Sequence, residues 1–477
     1  MSEYRHLPDL IDKKFDTAEL KALCFELDVE YDNIPGSTKS GKARELYQFF
    51  RRRGQEQTLL HAIHEARPDT DLRPFGGPAP DPSKSKPPIA AAAKTNHDGA
   101  NGAPEPAKRL ETVYDNFDIF IRPTGNINEY SLEAKSPYGE TADSIRQIFP
   151  FENDDYQNLA HRLKDVQISE PQFANEMGEI LRKFLFPPLI QEEFSKSLNV
   201  SRAKGKEGIR VRININQELR EMYQVPWEYC RDDKSFLALN ADTPLVRYIP
   251  TNREPVPISV PETVKILLAW ANPEDLAQLD VQSEIEAVKD ALTDFTASGR
   301  VVIEELPNVT PNTLVSKVRQ NPPHIFHFMG HGTLLPGGGG ALALDNGRKT
   351  HIFLDGDRML RLFQGNDTKL IILSACKSGA TSDKSQSEKS SSAEAFMGLA
   401  PKLVWGGLPA VVAMQYDLPN RAARPFMQTL YEFLALGKPL DTAVTEARIG
   451  LDFNIMESPY WGIPVLFMRA PDGNIWV

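Results

Sequence analysis

Cysteine is scarce in this chain. Only Cys24, Cys230 and Cys376 occur among 477 residues. Odd in number and scattered, they build neither a disulfide framework nor a Cys-x-x-Cys metal knuckle, and they predict a reducing, cytoplasmic setting. Long apolar runs are missing as well. No stretch reaches the length that spans a bilayer, and the polar, charged residues Met1 to Asp9 do not read as a signal peptide, so no membrane partner is expected. Positive charge is in deficit: 54 Lys and Arg against 65 Asp and Glu leave a formal net charge of -11. That balance argues against a general nucleic-acid binder. Residues 68–110 are nearly free of large apolar side chains and rich in Pro, Ala, Gly, Lys and Asp. They read as a linker that cannot bury enough surface to fold.

What is present concentrates in two stretches. His324 to Gly332 runs His-Ile-Phe-His-Phe-Met-Gly-His-Gly, and Ile371 to Gly379 runs Ile-Ile-Leu-Ser-Ala-Cys-Lys-Ser-Gly. Each reads as a buried strand ending in a reactive side chain. A parallel sheet places both ends on one edge, where open α/β sheets hold their active sites. A thiol attacks as thiolate, and an imidazole within reach takes its proton, so Cys376 is the candidate nucleophile and His331 its base. His331 precedes Cys376 by 45 residues (376 minus 331), close to the caspase spacing. The N–H groups of Gly332 and Cys376 are candidate oxyanion donors. His324, His327 and His331 do not form a metal triad, because 324 and 327 have opposite parity on a strand. No metal or other cofactor is expected. The glycine run Gly337 to Gly340 lacks the Gly-Lys-Ser/Thr ending of a phosphate loop and reads as a flexible loop beside the cleft.

The paired motifs Phe328-Met329-Gly330-His331-Gly332 and Leu373-Ser374-Ala375-Cys376-Lys377-Ser378-Gly379 resemble those of the CHAT peptidases, caspase-like cysteine proteases. Val225-Pro226-Trp227-Glu228 and Thr243-Pro244-Leu245-Val246-Arg247 resemble that family's upstream half; Gly407 to Tyr416, Ala443 to Arg448 and Trp461 to Phe467 resemble its closing segments. The resemblance implies an α/β fold: a caspase-like sheet with helices on both faces, made of an inactive half (111–255) and an active half (256–477). It also implies a protein substrate. Where caspases carry Gln two residues before the cysteine and metacaspases Asp, this chain has Ser374, which commits to neither. Asp417 follows the strand Val411 to Tyr416, and the resemblance implies that the loop there builds one wall of the specificity pocket. Asp417 reads either as the counter-charge for a Lys or Arg of the substrate or as a loop-capping residue. Residues 380–392 read as a cleft loop, one cut on activation, or a solvated insertion.

Ahead of these halves, residues 1–67 show short amphipathic runs, with Leu20, Leu23, Cys24 and Leu27 on one face and Ala43, Leu46, Phe49 and Phe50 on another. They predict a small all-α bundle. Thr17-Ala18-Glu19-Leu20-Lys21 and Lys42 to Gly54 resemble the bacterial death-like, or effector-associated, domains, which implies a homotypic partner or an upstream sensor. The whole reads as a cysteine endopeptidase recruited in a bacterial signalling, cell-death or antiphage defence pathway. The alternative is a non-catalytic caspase-like scaffold that binds peptides. Deletion of residues 1–68 is expected to leave the remainder folded, with Cys376 still open to thiol reagents, and to abolish capture of any partner bearing a similar helical module. Aggregation of the truncated chain in size-exclusion chromatography would contradict this.

Overall fold

The computed structural model describes residues 7–15, 17–27, 39, 42–43, 46–47, 50, 56–67, 70, 72–75, 113–164, 171–250, 263–336, 339–374, 376–377, 392–456 and 458–474. These fall into two compact units, Met1–Pro104 and Glu105–Val477.

In the first unit, helices Leu7–Lys14, Thr17–Glu26 and Glu56–Ala66 bury Leu10, Ile11, Leu20, Leu23, Leu59 and Ile63, together with Ala43, Leu46 and Phe50 from the segment between them. Cys24 belongs to this core, and burial pushes its thiol up to about 11, far from a nucleophile's range. Arg67 closes the bundle by donating to the Lys14 carbonyl at 3.2 Å, pairing with Glu19 and lying over the Phe15 ring. The bundle runs past Arg67, because Leu72 is fully buried and Phe75 packs against the same cluster. Most of the expected linker, residues 76–110, lies outside the described residues.

The second unit is built on one sheet. Its strands are β1 (Tyr114–Pro123), β2 (Glu129–Ser136), β3 (Gly139–Glu140), β4 (Ile145–Ile148), β5 (Gly208–Ile215), β6 (Leu245–Tyr248), β7 (Val264–Trp270), β8 (Val301–Leu306) and β9 (Ile325–Met329). Of the later strands, β10 (Gly332–Leu334), β11 (Gly340–Asp345) and β12 (His351–Asp355) form a separate antiparallel sheet. The remainder are β13 (Leu370–Ser374), β14 (Cys376–Lys377), β15 (Ala410–Met414), β16 (Leu418–Pro419) and β17 (Pro464–Met468). The main sheet runs β3-β2-β1-β5-β6-β17-β15-β13-β9-β7-β8, with β4 on β2. From β15 through β13, β9 and β7 to β8 every pairing is parallel. Parallel strands buried on both faces need apolar runs, which Leu370–Leu373 supplies without a break and Ile325–Met329 with one, at His327.

Strands upstream and downstream of residue 255 share this one sheet and one hydrophobic core. β17 runs antiparallel to β15, and its other edge is taken by β6 through Phe467↔Arg247 and Met468↔Tyr248. Pairing there removes an exposed edge that would otherwise recruit another strand.

A buried ion pair fastens the same seam. Arg247 donates through Nε and Nη2 to Glu228 at 3.1 and 2.6 Å, through Nη2 to Gln415 Oε1 at 3.1 Å and through Nη1 to the Tyr223 carbonyl at 2.6 Å. Gln415 Nε2 donates back to Glu228 at 2.9 Å and to the Gly462 carbonyl at 2.6 Å. The Trp227-Glu228, Arg247, Gln415-Tyr416 and Trp461 motifs thus converge on one network whose two charged side chains are 1% exposed. Such a pair repays its desolvation only while complete. Glu228→Ala is therefore expected to destabilise the second unit by roughly 3–5 kcal/mol, read from the urea unfolding midpoint. A change under about 1 kcal/mol, the range of an exposed pair, would contradict that role.

Candidate active site

The C-terminal ends of β9 and β13 set the site. In their register Ser374 stands opposite Met329, and the Gly330 N–H donates to the Ser374 carbonyl at 3.0 Å. His331 lies two residues beyond Met329, and Cys376 two residues beyond Ser374. The two sequence-predicted dyad residues therefore leave adjacent parallel strands at the same level. The backbone of Cys376 then pairs with Leu418 in β16, which brings Asp417 within one residue of the cysteine's partner.

The His331 ring is oriented by a neighbouring loop. Its Nε2 stands 2.6 Å from the Ala277 carbonyl oxygen. A carbonyl only accepts, so Nε2 carries the proton and Nδ1 is the basic nitrogen of the neutral ring. The loop that supplies this carbonyl is braced from within, as Asn272 Nδ2 donates to the Leu279 carbonyl at 3.1 Å and Asn272 Oδ1 accepts from the Leu279 N–H at 3.0 Å. It is also tied to the β11–β12 turn. The Glu274 N–H donates to the Lys349 carbonyl at 2.8 Å, and His351 Nδ1 stands 2.8 Å from Asp275 Oδ2. Partial desolvation opposes the Asp275 charge, but hydrogen bonds from the His351 backbone and ring outweigh it and hold the carboxyl below its ordinary value.

The Gly332 N–H, an expected oxyanion donor, donates to Ser392 Oγ at 3.0 Å. Position 332 must be glycine for packing alone, because a Cβ there would lie 2.8 Å from Phe396 Cε1 and 2.9 Å from Ala395 Cβ. Both belong to helix Ser392–Trp405, which also meets the glycine run: a Cβ at Gly340 would fall 2.0 Å from the Ala395 carbonyl oxygen. Gly340 is thus needed for close approach of strand and helix. Gly337 and Gly338, and most of the expected cleft loop, residues 380–391, lie outside the described residues.

Ser374, expected at the substrate pocket, is fully buried, and its hydroxyl donates to Glu284 Oε2 at 3.0 Å. Asp417 is 8% exposed. Arg421 donates to the Tyr460 hydroxyl at 3.2 Å and lies over that ring at 5.5 Å. The three histidines occupy separate environments. His324 Nδ1 accepts from the Lys265 N–H at 2.9 Å, with its pKa lowered by burial; His327 lies between Glu284 and Tyr431. Glu284, Tyr431 and the Ala277 carbonyl are contributors that sequence reasoning missed.

The second unit is thus a mixed α/β structure on a parallel-rich sheet, with His331 and Cys376 just beyond the ends of two adjacent parallel strands. The CHAT domain family model matches residues 175–461, and the effector-associated domain 7 model matches residues 5–68. The chain belongs to the CHAT domain family. Comparison with curated protein sequences gives no match. Among solved structures, it is similar to separase of the Saccharomyces cerevisiae separase–securin complex, with a TM-score of 0.42 and 11% identity over 75% of this chain and 30% of that one. The chain thus spans under a third of the separase it matches. It is also similar to the Arg specific cysteine proteinase gingipain R (TM-score 0.36, 14% identity, 69% of this chain and 76% of that one). A third similarity is to the Drosophila initiator caspase Dronc (TM-score 0.26, 11% identity, 43% and 85%).

Asn272→Ala removes both hydrogen bonds that brace the Ala277 loop. Amide exchange at Leu279 is expected to accelerate by about fivefold, equivalent to the roughly 1 kcal/mol of a net hydrogen bond. Unchanged exchange would show that the loop is braced by its contacts with the β11–β12 turn instead.

Proposed function

We propose that the protein is a cysteine endopeptidase in which Cys376 is the nucleophile and His331 its general base. The observation that carries this reading is the matched register of β9 and β13, together with the Ala277 carbonyl that leaves His331 Nδ1 as the basic nitrogen. In the proposed reaction Nδ1 takes the Cys376 thiol proton and the sulfur attacks the scissile carbonyl carbon. The resulting oxyanion is held by the N–H groups of Cys376 and Gly332. Gly332 exchanges its bond to Ser392 for the oxyanion as substrate enters. The imidazolium then protonates the departing amine, and water hydrolyses the thioester with the same histidine as base.

Cleavage after Lys or Arg is the specificity we assign, with Asp417 as the counter-charge. Two features support it: Asp417 adjoins the residue paired with Cys376, and Ser374 is turned inward to Glu284. The effector-associated match supports recruitment through residues 5–68 by an upstream sensor or a second chain with a like domain. We place that recruitment in a bacterial defence or cell-death pathway.

A fluorogenic peptide library tests the assignment. Cleavage after basic residues is expected, abolished in Cys376→Ala and in His331→Ala with the fold retained. Asp417→Asn is expected to cost about 30-fold or more, since breaking a desolvated pair costs roughly 2–5 kcal/mol. Cleavage after acidic or neutral residues would sink the pocket assignment. No cleavage by a folded wild-type chain whose Cys376 reacts independently of His331 would favour the peptide-binding scaffold.

A further inference from the structure

Beneath the site lies a chain of four buried polar groups from four different elements. Glu284, on helix Gln282–Ala291, accepts from Ser374 Oγ on β13 at 3.0 Å through Oε2, and its Oε1 stands 3.0 Å from His327 Nε2 on β9. His327 Nδ1 stands 3.1 Å from the hydroxyl of Tyr431 on helix Asn420–Ala435. Side-chain exposure of His327 and Glu284 is 0% and 1%. Burial, reinforced by the Glu284 charge, raises the Tyr431 pKa well above its ordinary value, so the phenol keeps its proton. With its proton kept, Tyr431 can donate to Nδ1, which leaves Nε2–H to donate to Oε1 and the serine hydroxyl to donate to Oε2.

Each of those elements continues into part of the site. β9 leads to His331 four residues after His327, and β13 leads to Cys376 two residues after Ser374. The helix bearing Glu284 is preceded by the loop that offers the Ala277 carbonyl to His331. The helix bearing Tyr431 follows Asp417 and β16, which pairs with Cys376. The starts of the two helices are bonded as well, Asn420 Nδ2 donating to Asp280 Oδ2 at 3.0 Å.

From this geometry, and resting on the His331–Cys376 reading above, we propose that Glu284 is a positioning residue. Its carboxylate holds the middle of β9, through His327, and the end of β13, through Ser374, against the helix that follows the Ala277 loop, so that His331 Nδ1 meets the Cys376 thiol. It touches neither substrate nor the reacting atoms; it acts through Ser374 and His327. Loss of such outer support around a reactive centre commonly costs 10- to 100-fold.

The test is alkylation of Cys376 by iodoacetamide in the full-length chain, followed from pH 5 to 9 by peptide mass mapping. Wild type is expected to react at pH 6 well above an ordinary thiol, with the excess lost in His331→Ala. Glu284→Ala is expected to slow the pH 6 reaction about tenfold and to move its pH midpoint up by about one unit. Glu284→Gln keeps the shape and lets the Ser374 hydroxyl turn to accept from the amide, so it is expected to stay within about threefold of wild type. Ser374→Ala, a smaller lesion, covers the case of a Glu284→Ala chain that does not fold, and is expected to slow the reaction by roughly threefold or more. If both alanine variants, folded by circular dichroism, react as wild type while His331→Ala is slow, the positioning role falls and the dyad stands. Equal losses in Glu284→Gln and Glu284→Ala would assign the effect to charge and contradict positioning through hydrogen bonds. A His331→Ala chain that reacts like wild type would remove both readings.

Discussion

The parallel pairing of β9 with β13 is the constraint on which the account of this protein rests. With Met329 opposite Ser374, the strands end at one level, His331 following two residues after Met329 and Cys376 two residues after Ser374. A slip of one residue would reverse the face of every side chain on one strand and separate the pair. The surrounding structure resists that slip in two ways. Ile371, Ile372, Phe326 and Phe328 are buried to 0%, so a shifted register would push apolar surface into the wrong layer. Glu284 also binds His327 in the middle of β9 and Ser374 at the end of β13 at the same time.

The seam between β6 and β17 is the second fixed point. It is short in backbone terms, two paired positions, and is reinforced by Arg247, Glu228 and Gln415. Because Gln415 directly follows β15 and bonds to Gly462 just before β17, the network holds the strand ends that flank Tyr416 and Asp417. Glu228 and Arg247 of the upstream half therefore anchor the residue that precedes Tyr416 and Asp417. A second polar anchor lies elsewhere along β5. Arg210 donates to Asp441 at 2.5 Å and to the Asp472 carbonyl at 2.8 Å, tying the upstream strands to helix Leu440–Asn454 and the chain end.

Much of this was legible in the sequence, for physical reasons that differ by residue. Strands buried on both faces need apolar runs, so Leu370–Leu373 and Ile325–Met329, interrupted only at His327, announced themselves, and a His-Gly and a Ser-Ala-Cys after them stood out as breaks in that pattern. The separate environments of His324 and His327 followed from strand parity. Glu284 was not legible, since a glutamate in the first turn of a helix reads as a solvated, dipole-favoured residue until the sheet buries it. The Ala277 carbonyl carries no signal at all, because every residue has one. Ser374 read as a pocket residue from its place before the cysteine; its inward hydroxyl depends on a glutamate far away in sequence. Joining of the two halves in one sheet depends on a pairing between residues near 247 and 467, and the packing of Leu72 and Phe75 on the helical bundle is hidden in a proline-rich stretch.

The central claim is that His331 activates Cys376 for acyl transfer. Intact-mass measurement after exposure to a peptidyl acyloxymethyl ketone ending in arginine tests it most directly, because that reagent alkylates a thiolate only when bound as a substrate is. The account predicts a single adduct located at Cys376 in the wild-type chain and none in His331→Ala over the same interval. An adduct on Cys24 or Cys230, or equal labelling of Cys376 with and without His331, would contradict it.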